Sequence, residues 1–186
     1  VGIADSFASD EIRSRIDLAE PIIVFTQDVV RRDGKIIPLY ERIKEADGPT
    51  AVVLPEYRDP PRNSLRNGDI HWHEFIVKGS VDCVVCRSAD FTNILFSSGT
   101  TGVPKAIPWD HITPIKCAMD AYFHHDVSPG EIVAWPTNLG WMMGPWLIYG
   151  SLINRATIAL YYGSPTTSEY LDFVEILKNI IALQAR

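Results

Sequence analysis

Basic residues are few and nowhere clustered. Seventeen Lys and Arg stand against 23 Asp and Glu in 186 residues, a formal net charge of −6, and no Lys- or Arg-rich segment supplies the basic face that nucleic-acid binding needs. Anionic ligands must therefore be captured locally, by a few donors gathered in one place. Long apolar runs are missing as well. None reaches the roughly 18 residues of a membrane-spanning helix, and the first residues lack the charged-then-apolar pattern of a secretion signal, so a soluble, intracellular chain without a membrane span is expected. Cysteine is limited to three. Cys83-Val84-Val85-Cys86 has the C-x-x-C spacing and His71-Trp72-His73 lies upstream, but a zinc site asks for a second pair at comparable spacing, and Cys117 belongs to a different element. The intervening valines favour a buried strand end or a packed turn, which predicts reduced core cysteines. A zinc or redox module on Cys83, Cys86 and the histidines is the alternative, and elemental analysis would detect its metal. Internal repeats and low-complexity linkers are also absent. With 46% hydrophobic and 22% charged residues, the composition is that of an ordinary soluble domain, and the chain reads as a single compact piece.

The commoner phosphate and nucleophile motifs are absent too. A Walker-type loop ends in Gly-Lys-Ser/Thr, whereas Pro104 precedes and Ala106 follows Lys105. No G-x-G-x-x-G dinucleotide turn occurs, and no G-x-S-x-G elbow makes Ser97 or Ser98 a hydrolase nucleophile. What is present is Ser97-Ser98-Gly99-Thr100-Thr101-Gly102-Val103-Pro104-Lys105, directly after the apolar Ile94-Leu95-Phe96. Four hydroxyls, two glycines and a lysine, with no carboxylate among them, make a loop built of donors. Glycine lets backbone N–H groups turn inward and approach a ligand, and the ammonium of Lys105 adds charge. Such a loop suits the phosphates of a nucleotide; a flexible polar linker is the alternative, and it accounts for neither the preceding strand nor the lysine after a proline.

Along the chain, helical and apolar β-branched segments alternate. Ser9-Asp10-Glu11 predicts a helix start, with Ile12, Ile16 and Ala19 on one face and Pro21 stopping it. Ile22 to Thr26 reads as a strand buried on both faces. Gln27 to Lys35 reads as a polar connection turning at Asp33-Gly34, Pro38 to Ala46 as a helix, Ala51 to Leu54 as a buried strand, and Pro55 to Gly68 as a surface loop. A short helix is predicted over His71 to Lys78, a strand over Phe91 to Phe96, and a helix from Pro108 to about His124. A donor loop between a strand's end and a helix is where open α/β sheets hold ligands. Beyond it, strands are expected over Glu131 to Trp135 and Ala156 to Tyr161, and helices over Trp146 to Asn154 and from Ser168 to about Ala182. The pattern predicts an α/β fold, a mostly parallel sheet with helices on both faces.

The Ser97–Lys105 stretch resembles, position for position, the phosphate loop of the adenylate-forming, AMP-binding superfamily: acyl-CoA synthetases, luciferases and peptide-synthetase adenylation domains. Four further stretches resemble its acetyl-CoA-synthetase-like branch. Ala4 to Ala8 with Glu11, Ile12 and Arg15 is similar to that branch's opening strand and helix. Gln27-Asp28 through Arg32-Asp33-Gly34-Lys35 to Pro38-Leu39 is similar to its basic Arg-Gly-Gly-Arg/Lys turn, with Asp33 in place of a glycine. The resemblance implies that Arg32 and Lys35 meet CoA phosphates; a solvated basic hairpin tip is the alternative. Asn138 to Gly144 resembles its Asp-x-Gly-Trp-x-x-Gly element, with Asn138 for the aspartate, which implies that Trp141 and Gly144 shape an acyl pocket unless Trp141 is plain core. The wording from Trp135 to Trp146, with Ala159-Leu160-Tyr161 and Gly163-Ser164-Pro165, is especially like plant peroxisomal acyl-activating enzymes. Arg155 departs from a glycine usual at that position, and from about Lys178 the tail no longer follows the family.

The reaction this resemblance implies joins a carboxylate to the α-phosphorus of ATP, releases pyrophosphate, and passes the acyl group to the thiol of CoA, as in fatty-acid metabolism. Ser97, Ser98, Gly99, Thr100, Thr101 and Gly102 are then expected to hold the ATP phosphates, with Thr101 and Lys105 acting in catalysis as pyrophosphate departs. Mg²⁺ is expected to arrive with ATP, because the loop holds no carboxylate. No Tyr-Gly-x-Thr-Glu element, ribose-binding aspartate motif or lysine-bearing C-terminal lid has a counterpart among residues 1–186. The resemblance thus implies a partial N-terminal domain that is inactive alone, in a peroxisomal or cytoplasmic enzyme. A nucleotide-binding or interaction piece that has kept the loop without the reaction stands as the alternative.

Overall fold

The computed structural model describes residues 1–32, 34–56, 65–97 and 103–184, with side chains as far as Lys178. Instead of one piece, the chain divides into two compact units. One holds Val1, Ile3–Val85 and Phe96–Ala106, the other Gly2, Cys86–Leu95 and the residues from Ile107 on.

In the first unit, α1 (Ser9–Ala19), β1 (Ile23–Gln27), β2 (Val30–Arg32), β3 (Lys35–Ile37), α2 (Leu39–Glu45), β4 (Thr50–Leu54), β5 (Ile70–His71) and α3 (Trp72–Phe75) follow one another. The central strand is β4, parallel to β1 on one side and to β5 on the other. Its Ala51, Val52 and Val53 have no exposed surface. Ala51 and Val53, on one face by the alternation of a strand, pack with Ile12 and Ile16 of α1, Tyr40 and Ile43 of α2, and Ala46. The cap of α1 is Ala8, whose N–H donates to Glu11 at 3.1 Å, while Ser9 lies inside the helix and donates to Glu45.

Several expectations are corrected here. β1 is an edge strand and not a doubly buried one: Ile22 is 92% exposed just before it, and Phe25 is covered only in part, by edge contacts to Trp72 and Phe75 with centroids at 6.3 and 5.3 Å. The polar connection after β1 is an antiparallel hairpin, β2 paired with β3 in the register Arg32↔Lys35. Gly34 turns it at φ +74, the conformation that an Asp-Gly turn asks of its glycine. The helix expected over His71 to Lys78 is a single turn. It ends where Ile76 goes extended at ψ 113, ahead of the β-branched Val77. Cys83 and Cys86 are not core cysteines: both are exposed, as is Val85 at 97%, because residues 76–87 form no helix or strand to pack them. Cys117 is buried, and burial pushes its thiol up.

Arg66, within the loop predicted as plain surface, and Asp69, just after it, tie the chain back onto β4. Asp69, its side chain 2% exposed, accepts from the Tyr40 hydroxyl at 2.6 Å, the Ala51 N–H at 2.8 Å and Arg66 Nε at 2.9 Å. Arg66 also donates to the carbonyls of Gly48 and Pro49.

β6 (Phe91–Ser97) pairs with β7 (Lys105–Asp110), and α4 (Ile112–His125), β8 (Ile132–Val133), α5 (Met143–Ile153), β9 (Thr157–Ile158) and α6 (Ser168–Gln184) complete the chain. Pro108 lies within β7 and does not open a helix; a two-stranded sheet leaves an edge on which its missing N–H is no loss. The helix begins instead after Asp110, whose Oδ1 accepts from the N–H groups of Ile112 and Thr113 and from the Thr113 hydroxyl, each at 3.0 Å. Those bonds hold the Asp110 carboxyl below its ordinary range. α4 buries Cys117, Ala118 and Ala121 and packs on α5. A Cβ on Gly150 would meet that of Ala121 at 3.0 Å, so glycine sets how near the two helices come. The opposite side of α4, Ile112, Ile115, Met119, Tyr122 and Phe123, is apolar and exposed. β8 and β9 are parallel, Ile132↔Thr157 and Val133↔Ile158. The class is α/β with parallel pairing, as the alternation of segments predicts.

Burial pushes the Asp69 carboxyl up, but hydrogen bonds from Arg66, Tyr40 and Ala51, with the charge of Arg66, outweigh it and hold the group below its ordinary value. The unfolded chain then takes up that proton more readily than the folded one. The contribution to stability is complete above the ordinary carboxylate range and is lost as pH falls through the lower folded value. Asp69→Asn is expected to cost about 2 kcal/mol at neutral pH, the worth of a hydrogen-bonded charge, and in denaturant titrations the gap to the parent should narrow as pH falls below the ordinary carboxylate range. Arg155 stands at φ +60, where a side chain costs about 1–2 kcal/mol and glycine almost nothing. Arg155→Gly should therefore raise the unfolding free energy from denaturant titration by about 0.5–1 kcal/mol, net of the added freedom of the unfolded chain.

Candidate functional site

Leu95 and Phe96 are buried and anchor the end of β6, which presents Ser97, half-buried, as its last residue. Lys105 is the first residue of β7 and is exposed. Ser98, Gly99, Thr100, Thr101 and Gly102 lie outside the described residues. The two ends of the donor stretch thus belong to strands that pair with each other, and the whole of β7 stands between Lys105 and the start of α4. This corrects the expected strand–loop–helix arrangement. Among the described residues the stretch is bounded by two strands, and α4 supplies no helix terminus at its end.

Arg32 and Lys35 are brought together, directly opposite each other at the hairpin tip. Arg32 donates to Asp5 at 2.7 Å, whose carboxylate is mostly buried, while Lys35 is exposed. Arg42 donates to the carbonyls of Asp5 and Phe7, each at 2.9 Å, and so fixes the segment that holds Arg32. Asp5 and Arg42 escape a reading by spacing, because 27 and 37 positions separate the bonded partners.

Trp141 lies in the turn ahead of α5, and Gly144 in the first turn of α5 itself. Asn138 Oδ1 accepts from the Gly140 N–H at 2.7 Å, a bond that an aspartate makes equally well, and its carbonyl accepts from the Trp141 N–H at 3.0 Å. The Gly144 N–H returns to the Trp141 carbonyl at 3.0 Å. Trp141 is 47% exposed, so it is not plain core.

Comparison with known proteins agrees with the resemblance. Residues 1–180 match the family described as AMP-binding enzyme. The chain is 49% identical over 181 residues to the probable peroxisomal acyl-activating enzyme 17 of Arabidopsis thaliana, covering 94% of this chain and 25% of that one. It is 49% identical over 184 residues to hexanoyl-CoA synthase of Cannabis sativa, covering 96% and 26%. Among solved structures, acetoacetyl-CoA synthetase from Streptomyces lividans superimposes with a TM-score of 0.74 at 27% identity, over 87% of this chain and 25% of that one. The chain therefore spans about a quarter of the length of the curated relatives it matches.

The preceding turn packs so close on α5 that position 144 admits no side chain. A Cβ there would stand 2.4 Å from the Asn138 carbonyl oxygen and 2.7 Å from the Leu139 Cα, both backbone atoms. Gly144→Ala is expected to destabilise the second unit by about 1–3 kcal/mol, the cost of forcing an extra carbon into packed backbone, read as a lower thermal midpoint.

Proposed function

The chain belongs to the AMP-binding enzyme family, and from that membership we infer that it serves the AMP-forming ligation of a carboxylic acid to CoA, as part of the large N-terminal domain of an acyl-CoA synthetase. The observation that carries this reading is the donor stretch from Ser97 to Lys105, set between two paired strands within a family match over residues 1–180.

In the first half-reaction a carboxylate oxygen attacks the α-phosphorus of ATP, and the bond to the bridging oxygen of pyrophosphate breaks. Charge grows on the departing pyrophosphate. Hydroxyls and N–H groups from Ser97 to Gly102 hold its oxygens, and the Lys105 ammonium neutralises what builds up, so they act most strongly where charge develops. Magnesium comes in with ATP as its counter-ion. In the second half the CoA sulfur attacks the acyl carbonyl and AMP leaves. Arg32, oriented by Asp5, and the neighbouring Lys35 engage CoA phosphates, where two cations on a rigid hairpin favour an anion over water. Trp141 forms an apolar wall for the acyl chain, in a turn kept tight by Gly144. The names of the two plant relatives support an aliphatic acid as substrate and the peroxisome as compartment. Residues 1–186 by themselves grip phosphate without completing the reaction, since nothing in them matches the family's adenine, ribose and lid elements.

Lys105→Ala, placed in a polypeptide that carries these residues with the rest of the domain, should slow carboxylate-dependent ATP–pyrophosphate exchange by about 10²–10³. Residues 1–186 alone should show no such exchange. Undiminished exchange in the Lys105 variant would refute the assignment of the loop.

A further inference from the structure

Arg15 is a buried cation that the proposed reaction does not use. It lies on the same face of α1 as Ile12 and Ile16 and is 4% exposed. Its Nη1 donates to the Glu11 carbonyl at 2.6 Å, and its Nε has no hydrogen-bond partner among the described residues. The guanidinium lies over the Phe7 ring, 3.7 Å from the centroid, and over the Phe96 ring at 5.7 Å. Burial pushes its pKa down, with Glu11 pulling the other way. A methionine would fill the slot without the desolvation cost of a cation whose Nε is unsatisfied, so packing alone does not account for an arginine here. What arginine adds is a flat charged plate that attracts aromatic faces.

We propose that Arg15 is a positioning residue of the phosphate site, holding Phe96 from the core side and thereby fixing the end of β6 from which Ser97 projects. Successive side chains of a strand point to opposite faces, so a grip on Phe96 sets the direction of Ser97 without touching the ligand. The inference rests on reading Ser97 to Lys105 as a phosphate site, and its test separates the two. Amide hydrogen exchange at Phe96 and Ser97, and calorimetric titration with magnesium pyrophosphate, are measured on the 186-residue chain and on Arg15→Met, Arg15→Lys and Lys105→Ala. Methionine keeps the volume, so that variant should hold or gain thermal stability. Lysine keeps the charge and loses the plate. Both Arg15 variants are expected to speed exchange at Phe96 and Ser97 and to weaken pyrophosphate binding, each by about tenfold, whereas Lys105→Ala weakens binding and leaves that exchange unchanged. Unchanged exchange at Phe96 and Ser97 in both Arg15 variants overturns the positioning role. So does wild-type affinity in those variants when Lys105→Ala has lost it. Absence of pyrophosphate binding by the parent chain overturns the phosphate-site reading, while the exchange data still decide whether Arg15 holds the strand end.

Discussion

A carboxylate with almost no contact with water, Asp69, has to find its hydrogen bonds inside the protein, and the first unit is arranged so that it does. Its partners come from three places: the hydroxyl of α2's Tyr40, the backbone of β4 at Ala51, and the side chain of Arg66 in its own loop. One residue thereby ties helix, central strand and loop together. Arg66 then satisfies the carbonyls of Gly48 and Pro49 at the turn into β4, which would otherwise lose water to no gain. Leaving any of these groups unpaired costs more than forming the bond gains, so the arrangement is close to all-or-none, and it sets where β4 lies relative to α2.

The hairpin of β2 and β3 shows the same logic nearer the surface. Arg31 and Arg32 are adjacent and of like charge, yet each has an acid within 3.0 Å, Glu56 for one and Asp5 for the other. Arg42 anchors the backbone around Asp5 from below. Two arginines that would repel on a free loop are thus held in separate directions, leaving Lys35 outward. The placement of the bases there is imposed by acids, a feature invisible in net charge.

Much of this was legible in the residues. β4 and α1 follow from apolar runs and helical spacing strong enough to survive any context, and the Asp-Gly pair foretold the turn at Gly34 even though the flanking strands, short and rich in charge, did not read as strands. The donor stretch identified the family. Where the reading failed, one signal carried two meanings. Pro108 fits the first turn of a helix and an unpaired strand edge equally well, and Asp110, the residue that starts α4, looked ordinary. Val81, Val84 and Val85 carry the composition of a buried strand, yet they lie exposed in a segment that is neither helix nor strand. Asp5 with Arg32 and Arg15 with Phe96 are brought together by the fold across long separations, which spacing cannot reveal. Arg155 stands where the family resemblance has a glycine, and its backbone is left-handed.

α4 has little room to vary. One flank is taken by close contact with α5, where Gly150 admits nothing bulkier opposite Ala121, and the other carries Ile112, Ile115, Met119 and Phe123. Between them runs a polar line, Lys116, Asp120 and His124, four residues apart, with Lys116 and Asp120 paired by charge. Neutral drift along this helix is channelled into that line, so related chains should differ there by exchange of one charged side chain for another while the oily flanks change only in shape.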